Sequence, residues 1–345
     1  MLMFRPAQPS DLSQLVELTA LAGVGLTTLQ RDAGLLEQRI VASQRSFQGP
    51  IGKMPGGESF FFVLEDTATG RVVGTSGIVS KVGGFEPFYA YRIHTIVHAS
   101  QRLNIRKEIP VLHLVMEHNG PCEIGSLFLH PAYQGAGNGR FLSLSRFVFM
   151  AEQPAWFEPV VIAEMRGVID EQGNSAFWSA VGKHFFDMDL SCADYLSLAD
   201  KRFIAELMPR YPLYIPLLPA EAQAVIGAVH PKTRPALQLL EQEGFSFSGM
   251  VDIFEAGPVV SCRRDEIRTL RHSRRRRVAE ISAAVPLSGA EYIMASRTGG
   301  FRACRGQADM ISQDEVRLPP EIAAVLEVRQ GDNVRMAPLR PASTP

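Results

Sequence analysis

The residues best placed to do chemistry lie between 124 and 152, where IGSLFLH runs through Pro131 and a glycine-rich stretch into RFLSLSRFVFMAE. Gln134, Gly135, Gly137 and Gly139 give the spacing Q-x-x-G-x-G. A glycine-rich turn that opens a helix lets successive backbone N–H groups converge without Cβ atoms in the way. The helix dipole adds partial positive charge at the same point, so a diphosphate is a natural guest. A P-loop would need Lys and Ser or Thr at its end, but Arg140 and Phe141 follow Gly139. A dinucleotide fingerprint would need G-x-G-x-x-G in a βαβ unit, and here the third spacing is wrong and the preceding elements read as a hairpin. A plain strand–turn–helix connection is the bland alternative. Metal chemistry has little support. His94 and His98 stand four apart, but YRIHTIVH reads as a strand, which would separate them by ~13 Å. Cys122, Cys192, Cys262 and Cys304 are scattered with no CxxC pair.

These groups need a scaffold, and the chain offers one. Met1 to Arg5 read as a strand, and Ser10 or Asp11 can cap a helix carrying Leu12, Leu15, Leu18 and Leu21, with Gln14 completing a loose capping box. Residues 35–45 suggest a second helix. SFFFVLE (59–65) and RVVGTSGIV (71–79) flank a five-residue turn ending in Gly70, the clearest hairpin in the sequence. Residues 89–98 look like a strand, and VVIAEMRG (160–167) is a near-continuous apolar strand of the kind covered on both faces. A helix beginning near Asn174 and Ser175 follows. HPKTRPALQLLEQEGFSF (230–247) reads as turn, amphipathic helix and strand, and PPEIAAVLEVRQGDNVRMAPL (319–339) as helix, turn and strand. The expected organisation is a lobe over 1–200, a second lobe over 201–258 and a small β-rich C-terminal domain over 259–345.

Composition narrows the partners. The 345 residues are 46% hydrophobic and 21% charged, which excludes a disordered or fibrous chain. Net charge is −1, but residues 263–277 carry eight arginines against Asp265 and Glu266, leaving the remainder at −7. A mildly acidic body suits a cationic substrate. The arginine run has no aromatic residue between 263 and 277 for base stacking, so a solvated basic helix end is expected there and no nucleic-acid partner. No apolar stretch approaches the ~18 residues that cross a bilayer, and the N-terminus reaches Arg5 too soon for a signal peptide. A soluble protein of the cytoplasm, with no membrane partner, is the expectation.

After an apolar strand, Q-x-x-G-x-G also fits the coenzyme A loop of the GNAT acyltransferases. The resemblance goes further than that superfamily. FVLEDTATGRVVGTSGI, VHASQRLNI, EIGSLFLHP, GNGRFLSLSRFVFMAE, IAEMRGVIDEQGNSAFWSAVGKHFF, FIAELMPRYPLYIPLL, IGAVHPKT and VDIFEAGP together resemble the arginine N-succinyltransferase family over about residues 3–258, and the tail from 319 more loosely. The glycine loop matches the β or single-subunit form of that family. HNGPCE (118–123) departs from its usual Asp-x-Thr-Gly neighbourhood just before the strand.

The resemblance implies an α/β (α+β) fold with a GNAT-type, largely antiparallel sheet, an elaborated second lobe and a small C-terminal β-rich domain. It implies succinyl-CoA as co-substrate, no bound cofactor or metal, L-arginine as acceptor, and a homo-oligomer or a hetero-oligomer with a paralogous subunit. It places the backbone of Leu127 at the thioester, with Gln134, Gly135, Gly137 and Gly139 on the coenzyme, and makes His230 the catalytic histidine. Chemically, an imidazole near ~6.5 suits taking a proton from the acceptor ammonium and returning one to the departing thiolate. Glu164 and Arg166 share one face of their strand, and Glu206 lies in IAELMP. They either hold the ends of an arginine substrate or form an ion pair that locks the halves together. An ornithine-like amine, a different acyl-CoA or an inactive partner subunit are the competing readings.

Overall fold

The computed structural model describes residues 1–21, 32–49, 54–84, 86–283 and 289–341, the side chains at 198 and 199 excepted. β1 (Leu2–Pro6) is followed by α1 (Leu12–Ala20), α2 (Ala33–Ser46) and the hairpin of β2 (Ser59–Asp66) and β3 (Arg71–Val79). The apolar run of β2 is unbroken because both faces are covered. Phe60, Phe62 and Leu64 join one core with Phe4, while Phe61 and Val63 meet Leu15, Leu18, Leu36 and Ile40 of the two helices. The N-terminal cap differs from expectation. Asp11 accepts from the Gln8 N–H at 2.8 Å, one turn upstream, and Gln14 instead accepts from the Val72 N–H at 2.9 Å, tying α1 to β3.

β4 (Phe88–Ser100) and β5 (Ile105–Glu117) form a long hairpin. The sequence reading did not find β5, because Pro110 interrupts its apolar pattern; in the structure Pro110 pairs with Thr95 and the strand continues through it. β6 (Cys122–Leu129), α3 (Asn138–Glu152) and β7 (Val160–Glu164) follow. A run of short helices then leads to β8 (Leu213–Tyr214). The remaining strands are β9 (Ser246–Val251), β10 (Pro258–Arg263), β11 (Arg274–Ile281), β12 (Glu291–Ser296), β13 (Arg302–Gln307), β14 (Asp309–Met310), β15 (Glu315–Leu318) and β16 (Asn333–Pro338). Among the described residues all sixteen strands belong to one sheet, in the order β14-β15-β11-β16-β12-β13-β1-β2-β3-β6-β7-β10-β9-β4-β5-β8. Its pairs are antiparallel except β6–β7 and β11–β15.

α3 crosses the middle of this sheet. Phe141 to Met150 are all buried, so the helix is apolar nearly all round, as its sequence is. Phe149 touches Phe60, Phe62 and Phe301, joining the N-terminal hairpin to the C-terminal strands through one aromatic cluster. The basic run is the main correction. Arg274–Arg277 open the strand β11 and are not a helix end, while Arg274, Arg275 and Arg277 are exposed as expected. Arg275 pairs with Glu152 at 2.6 Å, Arg277 with Glu315, and Arg276 donates to the Ser312 carbonyl at 2.9 Å. Four consecutive arginines carry no period-two signal, so only the pairing with β16 and β15 reveals a strand.

Candidate active site

Parallel strands β6 and β7 share two rungs, Cys122↔Val161 and Glu123↔Ile162. Beyond them the pairing stops, and among the described residues no other strand pairs with the edge of β6 facing β7. On its other edge β6 carries a bulge. Thr75 pairs with Phe128 and Gly77 with Gly125, so Ser126 and Leu127 lie opposite the single residue Ser76. Ser126 takes a φ of 53°, and the Thr75 hydroxyl donates to its carbonyl at 2.8 Å, holding the distortion. Leu127 thus sits in the bulged stretch of β6.

The glycine loop closes the end of β6. Gln134 Nε2 donates to the Leu129 carbonyl at 3.3 Å, so its side chain braces the loop. Gly135, Ala136 and Gly137 follow with φ of 95°, 47° and 81°, all left-handed. Glycine suits the first and third of these because a Cβ is disfavoured there. Cβ atoms at Gly135 or Gly139 would meet nothing within 4 Å, so the loop presents open backbone. A Cβ at Gly137 would lie 2.8 Å from Arg305 Nη1. Arg305, on β13, donates to the Ala136 carbonyl and binds the C-terminal strands to the loop. Asn138 Nδ2 donates to the Tyr133 carbonyl at 2.8 Å, while its Oδ1 is buried without a partner. A turn of left-handed residues thus opens a fifteen-residue helix, a geometry that leaves backbone N–H groups pointing outward.

On the β7 side, the end of that strand and the loop before the helix Arg234–Gln242 meet. The His230 N–H donates to the Arg166 carbonyl at 2.9 Å, which brings the two expected site residues together. His230 Nδ1 accepts from the Lys232 N–H at 3.2 Å. This bond assigns the neutral ring's proton to Nε2, leaving that nitrogen as a donor. Burial, helped by Arg166 and Lys232, lowers the imidazole below its ordinary range, so the ring is neutral at pH 7. Gly167 and Gly257 let the end of β7 touch the turn at residues 255–257. A Cβ at Gly257 would stand 2.1 Å from the Met165 carbonyl oxygen, and one at Gly167 2.5 Å from that of Glu255.

A carboxylate cluster surrounds this junction. Burial pushes Glu164 well above the usual range, with Glu123 and Asp252 adding to it. Yet the Glu164 side chain is exposed. Protein mass on all sides together with solvent contact describes a residue in the wall of an open crevice, and that contact moderates the shift. Burial likewise raises Glu123 and Asp252, and lifts Asp194 to about 7 and Glu255 to about 8. The opposing cations are Arg166, Lys201 and Arg39. Glu255 accepts from the Gly167 N–H at 2.8 Å and lies 4.0 Å from Arg166 Nε, which itself makes no hydrogen bond. Five carboxyls share this junction with three cations, and burial holds Asp194 and Glu255 close to the point where they exchange protons near neutral pH.

A family model described as the arginine N-succinyltransferase beta subunit matches residues 2–269, and that subunit's C-terminal domain model matches 274–338. The chain belongs to the arginine N-succinyltransferase family. Arginine N-succinyltransferases of Yersinia enterocolitica and Salmonella typhi are each 43% identical to it, across 98% of this chain and 98% of theirs. The solved structure of arginine/ornithine succinyltransferase subunit AI from Pseudomonas aeruginosa covers 99% of both chains, with TM-score 0.89 and 38% identity. The expected acyltransferase sheet is therefore borne out, and the protein is an acyltransferase. Among the described residues no helix is long and apolar enough to cross a membrane.

Within this arginine N-succinyltransferase scaffold, the structure joins Arg166 to His230 through the backbone, sets Glu164 at the end of β7, and places Leu127 and the glycine loop on and after β6. It does not join Glu206 to them. That residue is exposed on the helix Arg202–Leu207, with Arg202 as its near charge. Glu123, Asp194, Asp252 and Glu255 were missed by the sequence reading. Asp252 and Glu255 stand in VDIFEAGP, a segment noted for resemblance alone, and its signal is the acid placed two residues before a close-packing glycine.

Proposed function

We propose that the protein transfers the succinyl group of succinyl-CoA to the α-amine of L-arginine, giving N2-succinylarginine and free coenzyme A. The observation that supports this is the end of the β6–β7 pairing, with a bulge and a left-handed glycine loop on the β6 side and a cluster of raised carboxyls around β7. The loop at Gln134, Gly135, Gly137 and Gly139 takes the coenzyme's diphosphate, and the Leu127 N–H donates to the thioester carbonyl as it becomes an oxyanion. Arginine brings two positive groups and one carboxylate. The cluster at Asp194, Asp252 and Glu255 receives the cationic side, and Arg166 the carboxylate.

The ammonium proton passes to Glu164, whose raised carboxyl titrates closer to neutrality than an ordinary one. The free amine then attacks the thioester carbon. A C–N bond forms, the C–S bond breaks, and the second proton shed by the nitrogen as it becomes an amide passes to the sulfur, giving the free thiol. In the tautomer assigned above His230 acts as an Nε2–H donor to this developing charge, so its part lies on the leaving side and not in deprotonating the amine. Ornithine, named for the Pseudomonas relative, is the second amine to weigh. Purified protein is assayed for thiol release with succinyl-, butyryl- and acetyl-CoA, each against arginine, ornithine and lysine. Fastest turnover with succinyl-CoA and arginine is expected. Coenzyme A binding without turnover on any pair would instead mark a partner subunit.

A further inference from the structure

The carboxylate end of the acyl chain needs a partner, and the wall beside the bulge supplies one. Arg39 projects from α2 and donates from Nη2 to Ser126 Oγ at 2.6 Å. Its guanidinium lies over the Phe61 ring at 4.2 Å from the centroid, which fixes its plane. Gly77 makes room for it, since a Cβ there would stand 3.0 Å from Nη2. The cation is thus held at the residue next to Leu127, one Cα step of about 3.8 Å along the strand.

We propose that Arg39 recognises the free carboxylate of the succinyl group and sets the preference for a dicarboxylic acyl chain. The inference rests on the reaction proposed above. In a succinyl thioester the far carboxylate lies three carbon–carbon bonds of about 1.5 Å from the thioester carbon, an extended reach of roughly 4 Å. A thioester carbonyl on the Leu127 N–H therefore brings that carboxylate level with the guanidinium on Ser126. The planar fork of Arg39 suits a carboxylate, and burial leaves it cationic at neutral pH, lowered to about 10. Near it in the same wall lies Glu123, which would repel the carboxylate, so acceptance of a dicarboxylic chain needs a cation at this position. A neutral chain such as butyryl places no charge there.

The test is the ratio of kcat/KM for succinyl-CoA to that for butyryl-CoA, with arginine as acceptor, in the full chain and in Arg39→Met and Arg39→Lys. The ratio should fall at least 50-fold in Arg39→Met and recover in part in Arg39→Lys. General damage to fold or site lowers both rates together and leaves the ratio standing, and a ratio within threefold of the unmutated one overturns the assignment. The unmutated chain is its own control. If it shows no preference for succinyl-CoA, the proposed reaction fails and this inference with it.

Discussion

Replacing His230 by Asn separates two things the histidine does. Its Nδ1 caps the turn Pro231–Thr233 by accepting from the Lys232 N–H at 3.2 Å, and its Nε2–H is the proposed donor. Asn is a good cap and keeps the first role without an imidazole, whereas Ala loses both. The cap bond is long and its residue half-buried, so Ala should cost about 0.5–1 kcal/mol, the low end for such caps. In a chain of this size that shifts Tm by about 1–3 °C. Both variants should lose about 10²–10⁴ in kcat if the ring donates in the transition state. Thiol release gives kcat, coenzyme A titration gives affinity and thermal unfolding gives Tm. The expected pattern is Asn stable and slow, Ala slightly unstable and equally slow, both with near-normal coenzyme affinity. The pH profile adds a sign. His230 is lowered by burial, Arg166 and Lys232, so the folded state disfavours the charged ring. Rate and stability contributed by the neutral ring therefore hold above ~6.5 and fall as pH drops through the lowered value. That acid limb should vanish in the Asn variant. An Asn enzyme within threefold of normal kcat would refute any chemical role for the ring.

Three further outcomes follow from the same geometry. Gly137→Val puts a β-branched side chain at a φ of 81° with its Cβ 2.8 Å from Arg305 Nη1, and coenzyme A affinity measured by titration should weaken at least tenfold with little change in far-UV circular dichroism. Arg335→Met removes one of two partners of Glu152, whose side chain is 7% exposed; burial alone would raise this carboxyl, but hydrogen bonds from Arg275 and Arg335 hold it below the usual range. Denaturant unfolding should show a loss of about 1–3 kcal/mol at pH 7 that shrinks as pH falls through the lowered value. Glu164→Gln tests the opposite sign. A carboxyl raised by burial destabilises the fold once ionised, so the variant should match the unmutated Tm near pH 4, exceed it at pH 8, and lose most of its kcat at both.

Local order was readable in the chain because it depends on residues near one another. The hairpin around Gly70, the left-handed Gly135 and Gly137, and α3 with its all-round apolar surface come from turn chemistry and periodicity. The strand expected over 160–167 ends at Glu164, so Arg166 lies beyond it and does not share a strand face with Glu164. β5 and β11 escaped for a stated reason, one carrying Pro110 and the other four arginines, and each became a strand only through partners distant in sequence. The end of the β6–β7 pairing is wholly tertiary. Two parallel strands share two rungs and then stop pairing, which no local pattern encodes. The same holds for the five carboxyls drawn from 123, 164, 194, 252 and 255, and for Arg39 on Ser126, 87 residues away. The amino-acid sequence by itself determined which groups could bind a diphosphate or move a proton. Folding decided which of them face one another, because burial and charge proximity, the causes of every shift in the site, are properties of distance in space and not along the chain.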